Sequence, residues 1–494
     1  MKTFLQQRID LFFVVTIFII ANISPIILKY GFTDDYSFLY TYSVGNFLEL
    51  RNLFISIGRP INGLLVELVF SNLYFISDLR IIRSLSLLGF IILIGILYEI
   101  IKKTHLSKAE RISLLIFLSS VPSISLYISW AQYFTIPISL IFSVLSALVI
   151  NKFKFKIKLN YLSNFVLLFS GILLLLLASF IHQSASMYYW VIFSIILFFQ
   201  DKIKQKSTAL IELFAKYLFV WISAMGFSYL WIVLAKNIIS MPAITRTKLV
   251  NDYLGKLIWF LDEVVIRSLN FNLMKDSKLI AIFFILIIAI GFFIFFKKNN
   301  LNKFLGYLII TFLLLLSYFP NLVISENWAS YRTQIAISSL FVIFIFLGFR
   351  NIAYSFFFEK YQLVYKIFLL ILPLISMGLY SYHQIIDMTF SQSIEIGFLK
   401  YLLSPLNYQE YKEIIIVRSS WEDSLSQAIF DEFGMPSSYT GWAPEPMIRL
   451  LLREIDIGLK DIKISVLPPR SYVDQNSQVL VIYMEDYKYF RLIE

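Results

Sequence analysis

The sequence predicts an all-α polytopic membrane protein of about eleven transmembrane helices, with a small α/β domain appended at the C-terminal end. Two observations predict it. Of the 494 residues 59% are hydrophobic and the mean hydropathy is +0.75, with apolar runs of membrane-spanning length recurring along the chain. After Tyr382 the composition changes to charged residues, prolines and ordinary alternation, which divides the chain into a membrane region (1–382) and a soluble domain (383–494). A soluble core cannot absorb that much apolar surface.

The spans follow from hydropathy and from where lysine and arginine gather. Basic clusters stand at Lys102, Lys103, Lys108 and Arg111, at Lys152, Lys154, Lys156 and Lys158, at Lys202, Lys204 and Lys206, and at Lys297, Lys298 and Lys303. Cytoplasmic turns are enriched in lysine and arginine, so these turns belong on the cytoplasmic side. All of them agree when the helices lie near 11–29, 81–101, 112–128, 136–150, 162–180, 188–200, 209–235, 279–296, 304–324, 334–350 and 366–382. The N-terminus is then cytoplasmic and the C-terminal domain periplasmic or extracellular, which makes this a multi-pass protein of the cytoplasmic (inner) membrane. The basic start (Lys2, Arg8) and the run from Leu11 to Leu28 lack a small-residue cleavage pattern before Asp34, so this segment is expected to be a retained first helix.

The stretch from Ile61 to Ser77 must be interfacial or re-entrant, because a full span there would invert every following loop. Its Glu67, Asn62 and Asn72 also suit a lipid-facing helix poorly. The first external loop therefore runs from about 30 to 80. A second, from about 236 to 278, carries Met241-Pro242, Arg246, Lys248, Asp252, Asp262 and Glu263. In the C-terminal domain, Glu413 to Ser419 and Val479 to Asp486 read as strands, and Ser424 to Phe433 and Glu445 to Ile455 as helices.

Composition also excludes functions. The net charge of +11 lies in short clusters between apolar spans, which suits membrane lipid and not nucleic acid. There is no cysteine, so disulfides, thiolate catalysis and Cys-ligated zinc are out, and His105, His182 and His383 are too scattered in sequence to suggest a metal cluster.

The informative polar residues fall on one side of the bilayer. Asp34 and Asp35 follow the first span within YGFTDDYSFLY, and Gly58-Arg59-Pro60 closes the first part of the same loop. His182-Gln183 ends the fifth span, and Glu326-Asn327-Trp328-Ala329-Ser330-Tyr331-Arg332 joins the ninth to the tenth. A sugar linked through phosphate to a polyprenyl lipid presents its reactive bond at head-group level. A carboxylate there can take the proton of an attacking hydroxyl, and an arginine can hold the phosphate as it leaves. Asp34 or Asp35 is the expected base, and Arg332, at the start of a helix whose dipole also favours an anion, is the expected donor-phosphate ligand with Arg59. Adjacent helical positions diverge, so the two aspartates do not share one job. Weaker substrate-binding candidates are Glu67, His182, Gln183, Glu326, Asn327 and Tyr331. Each has a plainer reading: capping or solvation for Asp34-Asp35, a turn before a helix for Gly58-Arg59-Pro60, an ion pair for Glu67, an interfacial belt for the aromatics. Trp421, Tyr439 and Trp442 suit either a sugar ring or the core of the C-terminal domain.

The order of a first span, FTDDYSF, IGRP some twenty residues later, many further spans, a late NWASYR and an external C-terminal domain resembles the type II serotype-converting O-antigen glucosyltransferases, which look like members of the GT-C class. The resemblance covers the layout of the whole membrane region and rests on a few short motifs. It implies an inverting glycosyltransferase, a hexosyltransferase that moves a glucosyl or related residue from a polyprenyl phosphate sugar to a lipid-linked O-antigen or other surface glycan, as in lipopolysaccharide modification. On it, the family's acidic motif maps onto Asp34 and Asp35, its Gly-Arg-Pro onto Gly58, Arg59 and Pro60, and its late arginine onto Arg332. A Mg²⁺ or Mn²⁺ requirement stays open, since arginine can supply the same charge. The rival readings are an O-antigen polymerase or ligase, and a flippase or transporter of lipid-linked sugar. The latter predicts broken helices and repeat symmetry near the midplane, whereas the ionisable groups here sit at the ends of apolar runs.

Overall fold

The structure, a computed structural model, describes residues 8–153, 161–200, 202–204, 207–239, 248–299, 303–356, 362–404, 410–425, 431–455, 462–474 and 477–490. Lys154, Lys156, Lys158, Lys206, Met241, Pro242, Arg246 and residues 426–430 of the helix expected at 424–433 lie outside the described residues, and the described ends of that stretch, 424–425 and 431–433, are not helical.

Among the described residues seven helices are long and apolar enough to cross a membrane: Ile76–Lys102, Ala131–Lys152, Leu162–Ile181, Thr208–Ile238, Lys278–Lys298, Ile335–Ser355 and Ile367–Leu403. An eighth forms if Lys108–Ser119 and Pro122–Ser129, bent by 53°, count as one broken span. The other three of the eleven expected spans are present as shorter apolar helices, Ile9–Ala21, Gln183–Phe199 and Phe304–Ser317. Local chemistry shortens them. Asn22 turns its Nδ2 back to the Phe18 carbonyl (2.8 Å) and Pro25 restarts the chain, which ends the first helix early. Pro320 opens a separate turn, Phe319–Val323, where the expected span was to continue. The segment expected to be interfacial is the helix Pro60–Phe70, whose eleven residues reach only about 17 Å.

The last long helix does not stop at 382. It continues through a π-helical turn, Gln384–Phe390, to Leu403, and its 37 residues extend roughly 55 Å, well beyond the ~30 Å of a hydrocarbon core. Its final turns carry the C-terminal segment. There the strands β1 (Glu413–Val417), β2 (Lys463–Leu467) and β3 (Val479–Tyr483) form a parallel sheet in the order β2-β1-β3. β2 was not legible as a strand, because KISVL lacks the unbroken apolar run that marks EIIIV and VLVIY. Pro444–Ile455 is helical as expected and buries Met447, Ile448 and Leu451.

The C-terminal segment shares a core with the first loop. Tyr36, Phe38, Leu39, Phe54, Val66 and Phe70 pack in one cluster with Ile394, Phe398, Ile414, Ile416, Met447 and Ile448. Glu454 fastens the two further, accepting from the Ile76 backbone N–H (2.9 Å) and pairing with Lys29 (2.5 Å). Lys103, at the far end of the helix that begins beside Glu454, lines a ≈ 700 Å³ cavity with Arg8, His105, Lys152 and Lys202. Arg8, Lys103, Lys152 and Lys202 therefore gather at the end of this helix away from the C-terminal segment.

Where Lys278–Lys298 crosses the helix Ile335–Phe356, Gly291 meets Gly348, and a Cβ on either would run into the other helix's backbone. Small residues that let backbones touch are a main source of helix association in lipid. Gly348→Val should force these helices apart and cost about 1–3 kcal/mol, read as a lowered unfolding midpoint in detergent.

Candidate functional site

Asp34 and Asp35 open the helix Asp34–Ser43, and the structure sends them in different directions. Asp35 is 0% exposed. Its carboxylate accepts from the backbone N–H groups of Phe32 (3.1 Å), Ala131 (3.2 Å) and Gln132 (2.9 Å), and lies 3.5 Å from Arg83 Nη2. Arg83, also 0% exposed, donates to the carbonyls of Ser129 (3.0 Å), Tyr30 (2.8 Å) and Pro25 (3.4 Å), and lies 3.6 Å over the Tyr30 ring. Burial pushes Asp35 up to about 6, against the pull of Arg83 and the three N–H groups, so it is still ionised at pH 7. Asp35 is thus the staple that fixes the first loop to the bundle, not a group within reach of a substrate.

Asp34 is the aspartate that faces open space. It accepts from Trp442 Nε1 (2.7 Å) and from Gln132 Nε2 (3.2 Å), and lines a cavity of ≈ 830 Å³. Thr33, just before it, has φ +37°, a conformation uncommon outside glycine, and its N–H donates to Ser437 Oγ (2.9 Å). Ser437 is held in turn by Gln392 Oε1 (2.6 Å) and, through its own N–H, by Glu395 (2.9 Å). The position of Asp34 is therefore set from the long last helix through the C-terminal segment.

Arg59 and Arg332 stand on the border between this cavity and a second, of ≈ 500 Å³. Ile57, Tyr133 and Trp328 line both as well. The second cavity is largely apolar, walled by Trp221, Ile222, Met225, Ile232, Phe319 and Val323. Arg59 Nε donates to Gln183 Oε1 (2.9 Å), while Gln183 Nε2 donates to the Ile57 and Gly58 carbonyls (both 3.0 Å). Gly58 has φ +79°, and a Cβ there would meet Ile232 and Gln183, so the Gly-Arg-Pro turn requires glycine to bring Arg59 this close. Pro60 then starts the helix Pro60–Phe70. Arg332 lies 4.2 Å over the Trp328 ring, with Nε 3.2 Å from Glu432 and Nη1 3.5 Å from Tyr133 Oη. Burial and Asp431 push Glu432 above the usual carboxylate range, against the pull of the Arg332 guanidinium.

The remaining expected residues divide. His182, Gln183 and Glu326 line the apolar cavity. His182 Nδ1 accepts from the Ala185 N–H (3.2 Å) as a helix cap, and burial beside Arg59 and Arg332 lowers it well below its ordinary range, so it is neutral. Glu67, Asn327 and Tyr331 line neither cavity. Glu67 pairs with Arg51 (3.6 Å), Asn327 Oδ1 accepts from Lys256 (2.8 Å), and Tyr331 is a fully buried core residue whose hydroxyl donates to the Phe271 carbonyl (3.2 Å). The sequence did not single out Arg83, Gln132, Tyr133, Arg418 or Glu432. Arg83 had a readable signal, a charge inside an apolar run. The others are brought in only by contacts between residues far apart in the chain.

A divalent cation fits poorly. Among the described residues no group of three or more His, Asp or Glu side chains could hold a metal ion, and the oxygens of Asp34 already accept from Trp442 and Gln132. No protein-family model matches the chain, and no curated protein matches it.

The two aspartates should separate in stability measurements. Asp35→Ala leaves the buried N–H groups of Phe32, Ala131 and Gln132 without their acceptor and should cost about 3–5 kcal/mol, whereas Asp34→Asn should stay within about 1 kcal/mol of wild type. Asp35 holds its proton more tightly folded than unfolded. Wild type should therefore lose about 3 kcal/mol relative to Asp35→Asn as pH rises from the ordinary value of 3.8 to about 6, and nothing further above it. Thermal unfolding of both proteins across that pH range reads the difference.

Proposed function

We propose that this protein is a membrane glycosyltransferase that moves a hexosyl residue from a polyprenyl phosphate sugar to a glycan acceptor, with the reaction outside the cytoplasmic membrane. The observation that carries the reading is the meeting of two cavities at Arg59 and Arg332, one with an apolar wall of Trp221, Ile222, Met225, Ile232 and Phe319, the other lined by Asp34 and by Trp421, Tyr439 and Trp442. A lipid-phosphate sugar has that same division: hydrocarbon, then phosphate, then sugar. Cavities of this size are in the range that small-molecule sites occupy, about 300–1,000 Å³.

The roles follow from the chemistry. The prenyl chain lies in the apolar cavity and its phosphate against Arg59 and Arg332, whose guanidinium groups can hold phosphate oxygens in pairs. An acceptor hydroxyl attacks the anomeric carbon from the face opposite the phosphate and gives its proton to Asp34. The bond from the anomeric carbon to the phosphate oxygen breaks, and its electron pair leaves with the polyprenyl phosphate. The negative charge that grows there is met by Arg332 and Arg59, and the anomeric configuration inverts. Asp35 takes no part in the chemistry, and no step needs a metal.

Side and compartment rest on charge alone. Arg8, Lys103, Lys152 and Lys202 lie together at the end away from the C-terminal segment, and the positive-inside rule makes this support for a site on the outer face. A glucosyl donor and an O-antigen or related acceptor are the specific forms that the resemblance to the serotype-converting enzymes suggests.

Purified protein incubated with synthetic polyprenyl phosphate [¹⁴C]glucose and a lipid-linked glycan should transfer label. Asp34→Asn should lower the rate about 10²–10⁴-fold with donor binding retained, and Arg332→Ala about 10²–10³-fold with weakened donor binding. Transfer undiminished in both variants, or none by wild type from any polyprenyl phosphate sugar, would overturn the reading and favour a polymerase or flippase.

A further inference from the structure

The cavity that holds Asp34 is also walled by residues that neither the phosphate nor the base explains. Trp421, Tyr439 and Trp442 are 37%, 39% and 58% exposed, although aromatic side chains of this size normally bury. All three line the ≈ 830 Å³ cavity with Arg418, Gly441 and Pro469. They are not the core of the C-terminal segment, which Ile414, Ile416, Met447 and Leu451 provide. Trp421 and Tyr439 stand edge to face, with ring centroids 5.4 Å apart, and Arg418 Nη1 donates to the Tyr439 carbonyl (3.1 Å), which fixes the guanidinium beside them.

The backbone gives a second, independent reason to expect a ligand there. In open parallel sheets, ligands bind in the crevice outside the carboxyl ends of the strands, where successive connections leave to opposite sides. The order β2-β1-β3 makes β1 such a point: the chain goes from β1 to one neighbour and then crosses to the other. Arg418 directly follows β1 and Trp421 lies three residues on, while Pro469 follows β2 by two residues. The aromatic wall is thus at the carboxyl end of the sheet.

We propose that this wall is a carbohydrate-binding subsite, which takes the sugar rings of the acceptor glycan and delivers a hydroxyl to Asp34. The class of ligand follows from the surface. Half-exposed indole and phenol faces beside a guanidinium suit the apolar faces and equatorial hydroxyls of pyranose rings. A lipid tail would have no use for Arg418, and a phosphate none for two tryptophans. Trp442 joins the subsite to the chemistry, since its indole N–H is the donor to Asp34 Oδ1. A ring stacked on Trp442 lies beside the base, and Trp421 holds the chain farther out. Trp442 is therefore a positioning residue for Asp34 as well as a sugar contact. The acceptor role rests on the transferase reading; the glycan binding does not.

The test separates the two. Intrinsic tryptophan fluorescence of the full-length protein in nanodiscs is titrated with delipidated surface polysaccharide from the cell that makes it, beside maltoheptaose and cellohexaose. Transfer kinetics against acceptor are measured in parallel. Saturable binding is expected for at least one of these glycans, about tenfold weaker in Trp421→Ala and restored in Trp421→Tyr. In transfer, Trp421→Ala should raise the acceptor KM about tenfold with kcat kept, and Trp442→Phe, which keeps a ring but removes the N–H, should lower kcat with KM kept. Binding without any transfer would keep the subsite and remove the transferase. Transfer with a KM unchanged in Trp421→Ala would keep the transferase and remove the subsite, as would no binding of any of the three glycans by wild type.

Discussion

The organisation of this end of the molecule depends on a buried pair, Asp35 with Arg83, and on the backbone groups that complete it. Two charges taken out of water are costly unless every donor and acceptor around them is used. Here the carboxylate takes three backbone N–H groups and the guanidinium three carbonyls, from four separate stretches of chain at Pro25–Phe32, Asp35, Arg83 and Ser129–Gln132. None of these stretches can move without leaving a buried charge unsatisfied. The loop after the first helix, the start of the long helix Ile76–Lys102 and the break before Ala131–Lys152 are therefore held in one register.

That register puts the neighbouring aspartate where it can act. A helix turns about 100° per residue, so fixing Asp35 inward obliges Asp34 to point elsewhere, and elsewhere is the ≈ 830 Å³ cavity. The strained Thr33 and its bond to Ser437 complete the placement from the other side. The placement of this carboxylate depends on a segment four hundred residues away, because Ser437 and Trp442 both come from the C-terminal part of the chain. That part is accordingly a wall of the site and not an independent appendage. Its shared core with the Asp34–Ser43, Leu48–Ser56 and Pro60–Phe70 helices says the same in packing terms.

The border between the two cavities is built from rigid local devices. A glycine with positive φ, a proline opening a helix and a glutamine that bonds the turn's carbonyls bring Arg59 to it, while Trp328, Tyr133 and Glu432 hold Arg332 opposite. Arginines fixed in this way need little reorganisation to receive an anion, which is where electrostatic catalysis gains most.

The sequence by itself determined the membrane class, the run of apolar helices and the residues among which the candidate site lies, because hydropathy, charge bias and turn chemistry are local properties written in consecutive residues. It marked Asp34, Asp35, Arg59 and Arg332 for the same reason: ionisable groups at the ends of apolar runs stand out. It could not say which aspartate is inward, since that depends on Arg83 and on backbone N–H groups at 131 and 132. Nor could it tell that Tyr331 is core while Arg332 lines both cavities, that Glu67 is spent on Arg51, or that Trp442 reaches Asp34. The helix ends were also decided late, since an asparagine or proline shortens a span only where neighbours can satisfy the backbone it frees. Those are properties of pairs distant in the chain, and a pair has no direction, distance or burial until the tertiary structure supplies them.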